Sequence, residues 1–70
     1  MTLLERIENN FVYHAPKSEQ VEKYSRIRSE AKSLALTLAE LCPESRELSV
    51  ALTELESAVM WANASIARNE

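Results

Sequence analysis

Apolar residues recur at helical spacing along most of the chain, in three separate runs. The first, TLLERIEN, places Leu3, Leu4 and Ile7 on one side and charged residues on the other. A helix this short persists in water only when it is docked, because nucleation costs more than its few hydrogen bonds return. The second run extends from about residue 18 to 41, where Tyr24, Ile27, Ala31, Leu34, Leu38 and Leu41 follow one another at helical steps, with the small Ala35 beside them. Glu22, Arg26, Ser29 and Ser33 fall on a separate, wetter face. The third run extends from about residue 44 to 68. Leu48, Leu52, Leu55, Val59, Ala62 and Ile66 alternate steps of four and three, the seam of a helix that pairs with another helix. A second stripe lies beside it: Val50, Ser57, Trp61 and Ala64, with Glu54 and Arg68 in the same line. One helix cannot bury two stripes against a single neighbour. The first suits a partner within the chain. The second, small-residued and carrying the only tryptophan, suits another subunit.

The breaks between these runs set the connectivity. LCPES interrupts the second and third; Pro43 can occupy a first helical turn, and either Cys42 or Ser45 can cap it. So short a connection makes the flanking helices antiparallel neighbours. FVYHAPK, residues 11–17, separates the first two runs. Pro16 drives Ala15 toward an extended conformation. Ser18 is a plausible N-cap, followed by Glu19, whose charge suits the first turn. Phe11 is expected to point inward and close the end of the hairpin. Tyr13 reads equally as an inward cap or as an open aromatic face. The pattern therefore predicts an all-α fold and a single domain over residues 1–70: an antiparallel two-helix hairpin preceded by a short helix.

Composition narrows the possibilities. The 70 residues include no glycine, two prolines and one cysteine. Without glycine, tight hairpin turns and phosphate-cradling loops are disfavoured. Chains this short seldom build a sufficient core alone, and usually need disulfides, a metal or assembly. Cys42 has no disulfide partner, and Cys42 with His14 cannot supply four zinc ligands. Assembly remains, and no metal or cofactor is expected. No apolar run approaches the ~20 residues that span a bilayer, no signal peptide is evident, and a lone thiol fits a reducing compartment; the chain reads as soluble and intracellular. Net charge is −3, which disfavours duplex DNA as a partner. The cations are nonetheless concentrated: Lys17, Lys23, Arg26, Arg28 and Lys32 all lie between residues 13 and 32. Such a zone can hold one small anion.

Candidate chemistry follows from that zone. Arg28 and Lys32 lie one turn apart at the edge of the apolar stripe. They read either as a grip on one anionic group or as cations snorkelling along the core's rim. Tyr13, in an extended segment near cations, could stack on a nucleobase, a contact worth roughly 1–3 kcal/mol per base. His14 could hydrogen-bond or titrate, or simply face solvent. Asn63-Ala64-Ser65 matches a glycosylation sequon only by chance. Cys42 reads as a loop thiol, and Glu54/Glu56 and Glu44/Glu47 as solvated helix surface. No catalytic constellation assembles.

Four blocks then carry a resemblance: F-x-Y-H-x-P-K, I-R-x-x-A-K, P-x-S-R-E-x-S-x-A-x-T-x-L-E and V-M-W-A-N-A-x-I-A-R, spanning residues 11 to 68. The chain resembles the small phage-encoded anti-CBASS sponge proteins, whose antiparallel helical hairpin is shared with anti-Thoeris sponges. The resemblance implies a compact homo-oligomer, a hexamer of interlocked hairpins. It implies binding of cyclic di- and trinucleotide immune signals without cleavage, in the cytoplasm of an infected bacterial host. Tyr13 would stack on a base and Arg28 would meet phosphate. Arg68 would match an arginine of a separate trinucleotide site. His14, Pro16 and Lys17 of the Y-H-x-P-K block, Lys32 beside Arg28, and Asn63 of the M-W-A-N-A block complete the expected ligand-binding set. FVYHAPK would then be the lid of a pocket, held extended by Pro16 and anchored by Phe11. Against this stands a helical coiled-coil adaptor that offers the Trp61 stripe to another protein. A phosphodiesterase is disfavoured by the lack of a metal-ligand cluster or a nucleophile–base pair.

Overall fold

A computed structural model describes residues 1–70 as three helices and no strands: α1 (Leu3–Asn10), α2 (Ser18–Leu41) and α3 (Arg46–Asn69). None is long and apolar enough to cross a membrane. Each start is written into local chemistry. Thr2 caps α1 reciprocally: its hydroxyl accepts from the Glu5 N–H at 3.2 Å, and the Glu5 carboxylate accepts from the Thr2 N–H at 3.1 Å. The bond from the Thr2 backbone, and then that from its hydroxyl, hold the Glu5 carboxyl below its ordinary value. The stabilisation is present above the ordinary carboxylate range and lost as pH falls through the lowered value.

α2 begins one residue earlier than its expected cap. Lys17, not Ser18, is the N-cap, extended at φ −84° and ψ 159°. Its carbonyl accepts from the N–H groups of Gln20 and Val21 at 3.0 and 3.2 Å, so Ser18 is already inside the helix. No side chain caps the first N–H groups of the helix; Gln20 supplies only the other half of a capping box, its Oε1 accepting from the Lys17 N–H at 3.0 Å. Gln20 is also the one fully buried residue, 3% exposed.

At the turn, Ser45 is the cap of α3, and Pro43 lies in the loop rather than in the first helical turn. The Ser45 hydroxyl accepts from the Leu48 N–H and donates to the Pro43 carbonyl, each at 3.1 Å. Ser45→Ala should cost about 1 kcal/mol, the usual worth of a hydroxyl cap, read as a lower Tm in thermal melts.

α3 returns along α2. Leu48, Leu52, Leu55, Val59, Ala62 and Ile66 are all half-buried, as their seam requires, and Tyr24, Ile27, Ala31, Ala35 and Leu38 meet them from α2. Leu34 and Leu41 are exposed instead, at 48% and 74%. They lie at the edge of the stripe away from Ala35, where α3 does not reach. No apolar residue is fully buried. The accessible surface is 5876 Å², where a compact 7.9 kDa monomer would show ~4,400 Å². The radius of gyration is 15.4 Å, against ~11 Å for a compact chain of this length. The hairpin thus leaves much of its apolar surface open to solvent.

α1 stands off this hairpin. Leu3, Leu4 and Ile7 remain exposed. The helix is moored at its C-terminal end alone: Asn9 Nδ2 donates to the Arg68 carbonyl at 3.0 Å, and His14 Nε2 donates to the Asn9 carbonyl at 2.6 Å. Phe11, expected to anchor the segment inward, is 83% exposed. In the single chain there is no apolar wall near the mooring for it to enter.

Candidate functional site

At the open end of the hairpin a hollow of about 440 Å³ is formed by Pro16 from the connecting segment, Tyr24 and Arg28 from α2, and Asn63, Ala64 and Ala67 from α3. The fold builds it simply. Pro16 keeps the segment extended across the end of the helix pair. Ala64 and Ala67, one turn apart, carry no bulk and leave room beside the Tyr24 ring.

Two polar groups in this hollow are unengaged. Arg28 makes no ion pair; the ion pairs of the chain are Lys23–Glu70 at 2.7 Å and Arg26–Glu30 at 3.7 Å. Asn63 Oδ1 is buried and has no hydrogen-bond partner. Leaving a buried acceptor unpaired costs roughly 1–3 kcal/mol. The hollow thus has a free guanidinium on one wall, and the Asn63 wall holds an unpaired amide oxygen.

The other expected residues are distributed around this centre. Lys32 shares a different wall with Arg28: a mainly apolar groove of about 500 Å³ between the helices, where Glu56 is the remaining charge. Tyr13 is 86% exposed and lines neither space. His14 is occupied in the mooring of α1. Lys17 Nζ donates to the Glu70 carbonyl at 2.6 Å. Arg68 is half-buried and contributes its carbonyl to Asn9, while its guanidinium makes no ion pair. Pro16, Arg28 and Asn63 are therefore the expected residues that the fold brings together. Tyr24, Ala64 and Ala67 were not anticipated as site residues. Their signal was present: two alanines one turn apart opposite an aromatic mark a deliberate gap. Asn9 was missed altogether, because nothing local distinguishes a mooring asparagine from a solvated one.

No group of three His, Cys, Asp or Glu side chains could hold a metal ion. Cys42 is half-buried in the turn, whereas His14 lies near the far end of α3, about a helix length or ~36 Å away. These two do not form a nucleophile and base.

What the fold and the hollow define is a helical hairpin with open seams and a small cleft at its open end. The family model described as Acb2/Tad1, hairpin domain, matches residues 4–67. The chain belongs to that family, whose role at family level is that of an anti-defence sponge for cyclic nucleotides. Comparison with curated proteins and with solved structures gives no match.

Proposed function

We propose that this protein binds cyclic oligonucleotide second messengers, cyclic dinucleotides first and cyclic trinucleotides as well, and sequesters them uncleaved, blocking CBASS signalling in the cytoplasm of the infected bacterium. The observation that carries this reading is the pairing of the unengaged Arg28 with the orphan Asn63 Oδ1 in one hollow. Arg28 offers a planar fork that matches a phosphate. Asn63 Oδ1 accepts from an exocyclic base amine. Tyr13, on the exposed segment, closes over the base when subunits assemble. Lys32 adds a second cation one turn along, and Arg68 serves a trinucleotide site near the end of α3. Pro16, His14 and Lys17 hold the segment in place.

Assembly into a homo-oligomer, read here as a hexamer, is part of the proposal. A two-fold axis through the pocket would present Tyr13 and Arg28 twice to a ligand that carries two phosphates.

The test is recovery. Incubation with a cyclic dinucleotide should deplete the free ligand, and heat or protease treatment of the complex should return it intact. Linear products in that extract would replace the sponge with a phosphodiesterase. Asn63→Leu should weaken binding about tenfold without dissociating the protein, a loss of ~1.4 kcal/mol, as expected for one hydrogen bond to a buried acceptor.

One observation favours a second reading. Trp61 is 67% and Val50 46% exposed, as they would be in an adaptor that offers this stripe to another protein's helix. Sedimentation separates the two: a sponge is a stable higher oligomer with Trp61 shielded, and an adaptor is a monomer or open dimer.

A further inference from the structure

We propose that α1 of one protomer docks in the groove between α2 and α3 of a second copy, as an interface separate from the Trp61 stripe. The inference rests on the assembly read above and adds its geometry.

Shape comes first. At about 100° per residue, Leu3, Ile7 and Leu4 form one apolar stripe on α1. All three are exposed, and no part of this chain covers them. The groove beside Arg28 is lined by Ala31 and Ala35 from α2 and by Leu52, Leu55, Val59 and Met60 from α3, and it too is open. Leu52 to Met60 spans ~12 Å of helix, and the eight residues of α1 span ~12 Å as well. The two unpartnered apolar surfaces match in length.

Charge then orients the pair. The stripe of α1 is bordered by Glu8 on the Leu4 side and by Arg6 on the Leu3 side. The groove has Arg28 and Lys32 on its α2 wall and Glu56 on its α3 wall. None of these five charges makes an ion pair within the chain. A helix with one acidic and one basic border fits a groove with one basic and one acidic wall in a single direction. Glu8 then meets Lys32, farther along the α2 wall from the hollow, Arg6 meets Glu56, and Arg28 stays turned to the hollow.

The docking must occur in trans. Asn9 is fastened to the carbonyl of Arg68, ~12 Å beyond Met60 along α3 and ~24 Å beyond Leu52. To reach its own groove, α1 would have to give up that bond and the His14 bond to Asn9. Area supports a second interface too. The chain exposes about 1,500 Å² more than a compact monomer of its mass. A standard interface covers ~800 Å² per partner, so the excess is larger than the Trp61 stripe alone would account for.

Charge reversal tests this directly. Arg6 and Glu56 are both exposed, so Arg6→Glu and Glu56→Arg leave the hairpin itself intact. Each alone should weaken self-association about tenfold in sedimentation equilibrium. The double variant should recover it. An equimolar mixture of the two single variants should co-assemble better than either alone, because each α1 then finds a complementary groove on the other chain. Rescue in the double variant without rescue in the mixture would mean docking within one chain and would overturn the proposal. Association unchanged by either reversal, with Trp61 still shielded from quencher, would overturn it and leave the sponge reading standing. Wild-type protein sedimenting as a single chain would overturn both.

Discussion

Arg28→Ala is expected to weaken cyclic-dinucleotide binding at least a hundredfold while the oligomer persists. Arg28 lines the hollow without an acidic partner, so in the free protein its guanidinium is held by water alone. A hydrogen bond to a charged group contributes roughly 1.5–3 kcal/mol net. In a pocket on a two-fold axis the loss is felt twice, giving about 3–6 kcal/mol, or on the order of 100-fold to 10,000-fold in Kd. Arg28→Lys should fall between wild type and alanine, since it keeps the charge and loses the fork. Tyr13→Ala should lose a comparable amount, as each stacked base is worth roughly 1–3 kcal/mol. Tyr13 touches neither hollow in the single chain, so its contribution tests whether assembly carries the segment over the ligand. Calorimetric titration against a cyclic dinucleotide measures both effects. Unchanged affinity in both variants would remove this site from the protein.

Trp61→Glu should do more than dissociate the protein: the released chains should lose most of their helix. Trp61 is 67% exposed in the single hairpin, so a charge there does little harm to the chain that carries it. The harm arises in the assembly, where the position would be desolvated against a neighbour and an unpaired carboxylate is costly. The single chain has little with which to hold its fold. It has no disulfide and no buried apolar residue, and α1 is joined by two side-chain hydrogen bonds to carbonyls. The proposed assembly would therefore link its folding to association. For the wild type this predicts a Tm that rises with protein concentration. For Trp61→Glu it predicts weak far-UV helical dichroism at concentrations where the wild type is fully helical. A Trp61→Glu protein that sediments like wild type would assign the subunit contact to another face.

The helices were legible from spacing because an a/d seam has few other solutions. Leu48, Leu52, Leu55, Val59, Ala62 and Ile66 face the partner helix as the pattern requires. Turn chemistry was less legible. Ser45 caps α3 as one of two foreseen alternatives, but Ser18 gave way to Lys17 because Gln20 bonds the Lys17 N–H from three residues on. A bond from N3 back to the N-cap backbone involves no hydroxyl to notice. The edge of the α2 stripe was misjudged at Leu34 and Leu41, since periodicity gives a direction for burial and not the width of what covers it. In the site, Pro16, Arg28 and Asn63 converge, although they come from three different elements. That convergence depends on which rung of α3 faces which rung of α2, and the turn sets this. Phe11 shows the opposite case. Its inward placement needs a wall, and no wall is present in one chain.

The bend between α1 and α2 is secured by side chains acting on main-chain atoms: His14 on the carbonyl of Asn9, and Gln20 on the N–H of Lys17. Main-chain groups are the same at every position, whatever residue carries them. Phe11, Val12, Tyr13 and Ala15, all outward-facing, can therefore be exchanged without loosening the frame that displays them. Grip and scaffold are spelled by different letters of the same seven-residue word, so a lineage pressed by a new signal could retune its hold by point substitutions while the bend keeps its shape.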